Sequence, residues 1–536
     1  MPFPKTLWTA LLLLAAAAAQ SRPGQVVRTL KCPGPCPTGL AAAGERLWVV
    51  DRFTDRIYGL DRATGELKRE FRAPCCQPYG LACDGKGRLW VGSDLPEFGA
   101  DRLYRLDPAT GLVTAQVPLP LDSLRSLAWQ EGALWAGTGE GKLVRVDPLD
   151  GSVLRESPAP SERLNGLAWD GRRLWSCDRR RNRIYPVDPA TGEVLFALPA
   201  PGPHLSGLAW AGGFLYALDY EKRLIYEIAP RGEKSWWTAD PRRRRLCYRI
   251  VMHNRGGAPA PKLTAFIAVP KDTVKQKLLE PPRWVPEPAG FEEDEWGVRF
   301  ARFDFDDVAP GATVEARLHL DLEIRSLRRA IYPEQVQGLD RVPAEIRKRY
   351  LQGGNKYQLQ NPYLRKLVKE SVGEEKNPWW IARKLARTVG ERMQYELAGG
   401  WEPAPVVLER GSGSCSEYTF AFLALCRIAG LPARYVGAVC VRGDEGSCDE
   451  TFHRWAQVYL PGPGWVDWDV QAADAKLRGR FAESLCYRSN AILTTTYGGG
   501  PSRILRWEYN GQTEAQCRGR ADILVEKYGE WSPLPR

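Results

Sequence analysis

The sequence predicts a multidomain chain of 536 residues: an all-β five-bladed propeller, then a β-sandwich, then a region of mixed helices and strands. Three observations carry this prediction. A Leu-Trp or Leu-Tyr step recurs about every 40 residues through the first part of the chain. Strand-like runs joined by Gly- and Pro-containing turns fill the middle. Helix-start signals, and an apolar helix headed by a cysteine, mark the last part. The length exceeds what a single hydrophobic core usually organises.

The propeller is assigned to residues 20–232. Leu47-Trp48, Leu89-Trp90, Leu134-Trp135, Leu174-Trp175 and Leu215-Tyr216 recur at intervals of 42, 45, 40 and 41. A Gly/Ser-Leu-Ala step precedes each, from Gly39-Leu40-Ala41 to Gly207-Leu208-Ala209. Short strands with turns at this period mean propeller blades. The last repeat lacks an outer strand after Ile228, and residues 24–30 have that strand's character, so the N-terminal segment is expected to complete the last blade. The periodic Trp residues read as blade packing rather than a ligand cage. Recognition falls to the loops of one face. These repeats resemble the streptogramin-lyase-like and glutamine-cyclotransferase-like propellers. The β-sandwich is assigned to residues 233–330, from the strand-like runs Leu246–Met252, Lys262–Val269, Gly297–Phe303 and Thr313–Leu322.

The third region is assigned to residues 331–536. Asn361-Pro362 and Asn377-Pro378 each open a helix with Pro in its first turn. Gly411-Ser412-Gly413-Ser414 leads to Cys415, which heads an apolar helix with Tyr418, Phe422 and Leu425 at helical spacing, stopped by Gly430-Leu431-Pro432. A cysteine at a helix N-terminus meets backbone N–H groups and the positive end of the helix dipole, both of which favour the nucleophilic thiolate. His453 follows on an alternating strand, sharing a face with Trp455 and Gln457. The turn Pro461–Gly464 leads into Trp465-Val466-Asp467-Trp468-Asp469, a hairpin partner. An imidazole can take a thiol proton, and a carboxylate can orient that imidazole. Strand parity places Asp467 and Asp469 on the same side and does not choose between them. A strand-like Ile504–Tyr509 is expected in the tail.

Gly413-x-Cys415-x-Glu417, Arg427-x-x-Gly430-Leu431-Pro432-Ala433-Arg434, His453-x-Trp455 and Gly464-Trp465-x-x-x-Asp469 together resemble the core of the transglutaminase-like superfamily. The resemblance implies a papain-like α+β catalytic core with a Cys-His-Asp triad. Cys415 would be the nucleophile, His453 the base and acid, and Asp469 the orienting carboxylate, because the family's Asp stands four residues after this Trp. The family's Asp is usually followed by Pro, whereas Val470 follows here. Tyr395, Glu417 and Trp455 are candidates for oxyanion binding or support of the triad, with packing as the rival role for Tyr395 and a favourable first-turn charge for Glu417. The turns at Val269–Asp272 and Ala309–Gly311 resemble those of the β-sandwich that precedes this core in bacterial members.

Lys5, the apolar run 7–19 and Ala17-Ala18-Ala19 read as a signal peptide over residues 1–19, cleaved after Ala19. The expected product is secreted or periplasmic, with no transmembrane anchor after cleavage. Thirteen cysteines in an exported chain suggest disulfides, with Cys440 and Cys448, and Cys32, Cys36, Cys75 and Cys76 among themselves, as candidate partners and free buried thiols as the alternative; catalysis requires Cys415 free. The formal charge of +11 includes Arg179–Arg181 and Arg242–Arg245, read as a solvated basic surface or a contact for an anionic envelope polymer. No nucleic-acid motif accompanies the charge. No cofactor and no metal site is expected, since neither an EF-hand loop nor a zinc pattern is present.

The functional expectation is an exported cysteine-dependent acyl-transfer enzyme acting on protein or peptide amides through a thioester. Water as acceptor makes it a protease or amidase; an amine makes it a cross-linker. The rival is a catalytically silent envelope scaffold that uses propeller and sandwich for recognition.

Overall fold

The computed structural model describes residues 22–93, 101–397, 401–471, 478–485, 487–516 and 521–534. The expected signal peptide lies outside them. The chain divides into two compact units, one built on the residues up to Trp236 and the other on most of the rest. No described helix is long and apolar enough to cross a membrane.

The first unit contains five antiparallel sheets of four strands. Pro37–Ala43, Arg46–Asp51, Arg56–Asp61 and Leu67–Arg72 form the first, and the next three follow the same order. The fifth joins Leu205–Ala211, Phe214–Asp219 and Leu224–Ala229 to the N-terminal strand Gln25–Lys31, as the missing outer strand required. Successive inner strands lie against one another, and Leu205–Ala211 lies against Pro37–Ala43. That approach explains the glycines of the repeat. A Cβ on Gly39 would fall 2.9 Å from the Gly80 carbonyl carbon, and one on Gly166 2.8 Å from that of Gly207. The repeat leucines Leu47, Leu89, Leu134, Leu174 and Leu215 are fully buried. The tryptophans pack between neighbouring sheets: Trp90 stacks on Trp129 with centroids 6.3 Å apart, and Trp175 on Trp210 at 6.2 Å. Each buried aromatic removes a large apolar area from water, which makes these positions cohesive.

In the second unit the sandwich has a seven-stranded sheet running through Gln276–Leu278, Thr313–Arg329, Trp236–Asn254, Ile523–Pro533 and Ser447–Asp449, with two short strands paired to Thr313–Arg329. It faces a four-stranded sheet of Gly290–Glu293, Arg299–Val308, Ala260–Ala268 and Gly511–Gln516. Leu246, Ile250, Leu263, Phe303 and Leu320 fill the core between them. The strand expected over residues 504–509 is absent. Ser502 and Arg506 instead exchange backbone hydrogen bonds of 2.9 and 2.7 Å around a tight turn. Packing overrides strand propensity there: Ile504 and Leu505 bury against Phe300, and Trp507 sits edge-on to Tyr357 and Phe420.

The α+β core has a four-stranded sheet in the order Gly464–Trp468, His453–Leu460, Ala433–Cys440, Ile492–Gly498. Asn361 and Asn377 cap the helices Pro362–Val372 and Pro378–Arg392 through side-chain oxygens 2.9 Å from the Tyr363 and Trp379 N–H groups. The helix Cys415–Ile428 packs on His453–Leu460 and is buried on every side, as its nearly continuous apolar sequence requires.

Candidate active site

Cys415 is the first residue of its helix, and its buried side chain stands at 6 % exposure on the wall of a cleft. The loop before it is held in two ways. Gln394–Tyr395 pairs in parallel with Ser412–Gly413, and the Glu396 N–H donates to the Gly413 carbonyl at 3.0 Å. Glu417, fully buried one turn on, accepts from the Ser414 N–H at 2.8 Å and from Arg410 Nη2 at 2.9 Å. Glu417 thus closes the helix N-terminus onto the preceding helix Ala404–Arg410.

The His453 side chain reaches Cys415 from the neighbouring strand. Its Nε2 lies 2.8 Å from Asp469 Oδ2, which leaves Nδ1 for the thiol, and thiol and ring are hydrogen-bonded. Burial by itself would push the Cys415 thiol up. The hydrogen bond to His453, the charge of that ring, and the N–H and guanidinium of Arg454 bring it below its ordinary value. Burial works against the imidazolium too, yet Asp469 and the Cys415 thiolate raise His453 to about 10. Asp469 is held below the usual carboxylate value against its burial by His453, Arg488 and the Gln471 N–H. Each of the three shifts favours the charged form of its group, because in a buried site each charge is stabilised by its neighbour's. A thiolate so held can attack a carbonyl carbon while the imidazolium holds the proton that an amine leaving group needs.

Asp467 is engaged elsewhere. It accepts from Trp455 Nε1 at 2.8 Å and from Gln457 Nε2 at 2.9 Å. Trp455 in turn lies nearly parallel to the His453 ring, with centroids 5.7 Å apart and planes 24° apart. Arg488 serves both acids, with Nε 3.7 Å from Asp467 and Nη1 3.6 Å from Asp469. Tyr395 lines the cleft and is 43 % exposed, so its ring is not core packing.

Two further residues escaped sequence reasoning. The Tyr509 hydroxyl hydrogen-bonds to Cys415 and to Ser416 Oγ, and burial, then the nearby thiolate, push its phenol up to about 12 against the opposing charge of Arg454. Arg454, next to His453 but on the opposite strand face, spreads its buried guanidinium over the Tyr509 ring at 3.9 Å and the Tyr435 ring at 4.8 Å. It also donates to the Glu508 carbonyl at 3.0 Å. Alternation along the strand places Arg454 opposite His453, but only the turn at residues 502–506 brings Tyr509 back to the thiol.

The cleft holds about 470 Å³, and its wall includes Arg442, Thr451, Gln471 and Ser489 as well as Cys440. The expected disulfides are not formed: the eleven described cysteines are free thiols. Cys440 faces the cleft, whereas the exposed Cys448 sulfur lies 3.9 Å from Glu450 Oε1, so the two occupy different surroundings. Cys36 instead accepts from Arg52 Nε at 3.2 Å. Cys486 and Cys517 lie outside the described residues. Among the described residues no group of three or more His, Cys, Asp or Glu side chains is placed to hold a metal ion.

Residues 365–470 match the model of the transglutaminase-like superfamily, and this segment is a transglutaminase-like domain. It spans Cys415, His453 and Asp469. No curated protein matches the chain. Among the solved structures similar to parts of it are the following two. A putative cysteine protease from Cytophaga hutchinsonii is 15 % identical with a TM-score of 0.40, covering 56 % of this chain and 93 % of its own. The glutaminyl cyclase of Myxococcus xanthus is 16 % identical with a TM-score of 0.34, covering 39 % of this chain and 97 % of its own.

Proposed function

We propose that this protein, which carries a transglutaminase-like domain at residues 365–470, is a cysteine-dependent amide hydrolase acting on proteins or peptides. The observation that carries the reading is the unbroken chain from Cys415 through His453 to Asp469, opening on a cleft.

In this reading the Cys415 thiolate forms a bond to the amide carbonyl carbon, and the carbonyl oxygen takes the negative charge. The Cys415 N–H, at the first helical position where helix geometry supplies no partner, donates to that oxygen. The exposed Tyr395 hydroxyl on the same cleft is the candidate second donor. The C–N bond breaks as His453 gives its proton to the leaving amine, leaving a thioester. His453 then takes a proton from water as the oxygen attacks the thioester, and the thiolate is released with the acid product. Asp469 keeps the imidazole ring oriented and offsets its charge through both steps. Water entering by the cleft on which Cys415 opens is taken as the acceptor in this reading, in preference to an amine. The substrate-bearing compartment is outside the cytoplasm, on the reading of residues 1–19 as a signal peptide.

The test is mass spectrometry of a protein mixture incubated with the enzyme and a tagged primary amine. New termini, or Glu at former Gln sites, are expected, and both should vanish in Cys415→Ala. Tag carried onto Gln would replace hydrolysis by amine transfer. No change in the mixture, with Cys415 unreactive to thiol probes, would favour the silent scaffold.

A further inference from the structure

One cavity of the propeller gathers side chains of a chemistry different from that at Cys415. Its repeats keep the packing positions uniform, as the Leu-Trp and Gly-Leu-Ala steps show. At two positions per repeat, where the inner strands end at one mouth of the axis, the side chains diverge instead. The residue before each Gly/Ser-Leu-Ala step is Thr38, Tyr79, Arg125, Asn165 or Ser206, and all five line one cavity of about 350 Å³. The residue five positions after each repeat leucine is Arg52, Gly139, Arg179 or Tyr220, which line the same cavity; that of the second repeat lies outside the described residues. Thr38 and Ser206 serve the blades, donating to the Pro78 and Pro37 carbonyls at 2.6 and 2.7 Å, whereas the repeat's packing does not account for Arg52, Arg125 and Arg179.

The set is cationic. Among the described residues, Arg163 joins Arg52, Arg125 and Arg179 on the wall, against one carboxylate, Glu140. Nearby Asp51, Asp178 and Asp219 are turned into their own turns, accepting from the N–H groups of Thr54 at 2.9 Å, Arg180 at 2.8 Å and Lys222 at 3.0 Å. The arginines are braced by rings: Arg125 lies 4.4 Å and Arg52 5.7 Å from the Tyr79 centroid, and Arg179 lies 5.4 Å from that of Tyr220. Arg125 is partnered, and Arg52 donates to Cys36 Sγ at 3.2 Å and to the Tyr79 hydroxyl; the remaining donors of these planar groups match phosphate and carboxylate oxygens. The volume falls at the small end of ligand cavities, which run from roughly 300 to 1,000 Å³.

We propose that this mouth of the propeller binds a small oxyanion carrying at least two phosphate or carboxylate charges, seated among Arg52, Arg125, Arg163 and Arg179. The site is independent of the Cys415 chemistry and stands or falls separately.

Isothermal titration calorimetry of the full chain at low ionic strength, with inorganic pyrophosphate and with citrate, tests it. Saturable one-to-one binding of at least one probe is expected, weakening as salt rises. The tighter probe tells a phosphate ligand from a carboxylate one. Affinity should fall at least tenfold in the Arg125→Gln/Arg179→Gln double variant and stay unchanged in Arg46→Gln, which removes an exposed charge away from this cavity, and in Cys415→Ala. If the double variant does not fold, the exposed Arg163→Gln is read instead, with a loss of severalfold. No saturable binding of either probe, or equal affinity in the wild type and the axial variants, overturns the proposal.

Discussion

Trp455 Nε1 donates to Asp467 Oδ1 at 2.8 Å, while the indole face lies against the His453 ring. One side chain therefore both occupies the nearer carboxylate and steadies the imidazole. With Asp467 so engaged, His453 Nε2 is bonded to Asp469, two residues further on. The two acids differ in what they do, although alternation gives them the same parity: Asp467 lies in the strand Gly464–Trp468 and Asp469 just past its end.

Asp469→Asn should lower turnover by about 10²- to 10⁴-fold with the melting temperature little changed, because an amide can hold the ring in the wrong tautomer. Asp467→Asn should leave turnover within about tenfold but cost about 1–3 kcal/mol of stability, since it weakens two buried hydrogen bonds. Steady-state kinetics and urea unfolding of both variants check this; a reversal of the two effects would exchange their roles.

The lowered Cys415 value has a sign that can be measured. A thiol below its ordinary value of 9.0 keeps thiolate at lower pH, so the inflection of Cys415 alkylation by iodoacetamide should fall below pH 9. In His453→Gln the opposing partner is gone and burial prevails, which moves the inflection above 9. Peptide mass spectrometry across the pH range reads both curves. A wild-type inflection at or above 9 would break the link between geometry and reactivity.

Tyr509→Phe removes one hydroxyl that bonds to the sulfur and to Ser416. Turnover should fall roughly tenfold, and the alkylation inflection should rise, because a neutral donor to the thiolate is lost. A purely structural tyrosine would change stability without moving that inflection.

Trp90→Ala should destabilise the propeller by about 3–5 kcal/mol, as large-to-small changes in packed cores do. Leu149→Ala, on a side chain 83 % exposed, should stay within about 0.5 kcal/mol. Urea titrations compare the two. A tolerated Trp90→Ala would return the periodic tryptophans to a ligand-binding role.

Much of the site was legible along the chain. The glycine-serine run before an apolar helix located Cys415, and the alternation around Trp455 put His453 on a strand facing a hairpin partner. Both features are local, and local backbone geometry follows residue spacing. The repeat likewise announced the five sheets and the strand exchanged from the N-terminus. The misreading at residues 504–509 has a physical cause. Ile504, Leu505, Trp507 and Tyr509 have strand propensity, but each is claimed by a different buried neighbour, and the chain turns to serve them. The disulfide expectation drew on cysteine count and compartment, neither of which carries the position of a sulfur atom in space.

What the sequence determined by itself is therefore the order and periodicity of the parts: the repeated blades, a cysteine at a helix start, a histidine on a strand, and two acids on the strand beside it. Tertiary structure alone decided Tyr509 for the thiol and the divergent arginines collected at one mouth of the propeller; for His453 it placed Asp469, the acid the family resemblance preferred and strand parity left level with Asp467. The reason is that spacing along a chain sets which way a side chain faces, whereas a hydrogen bond or a shared field depends on distances between segments that only folding brings together.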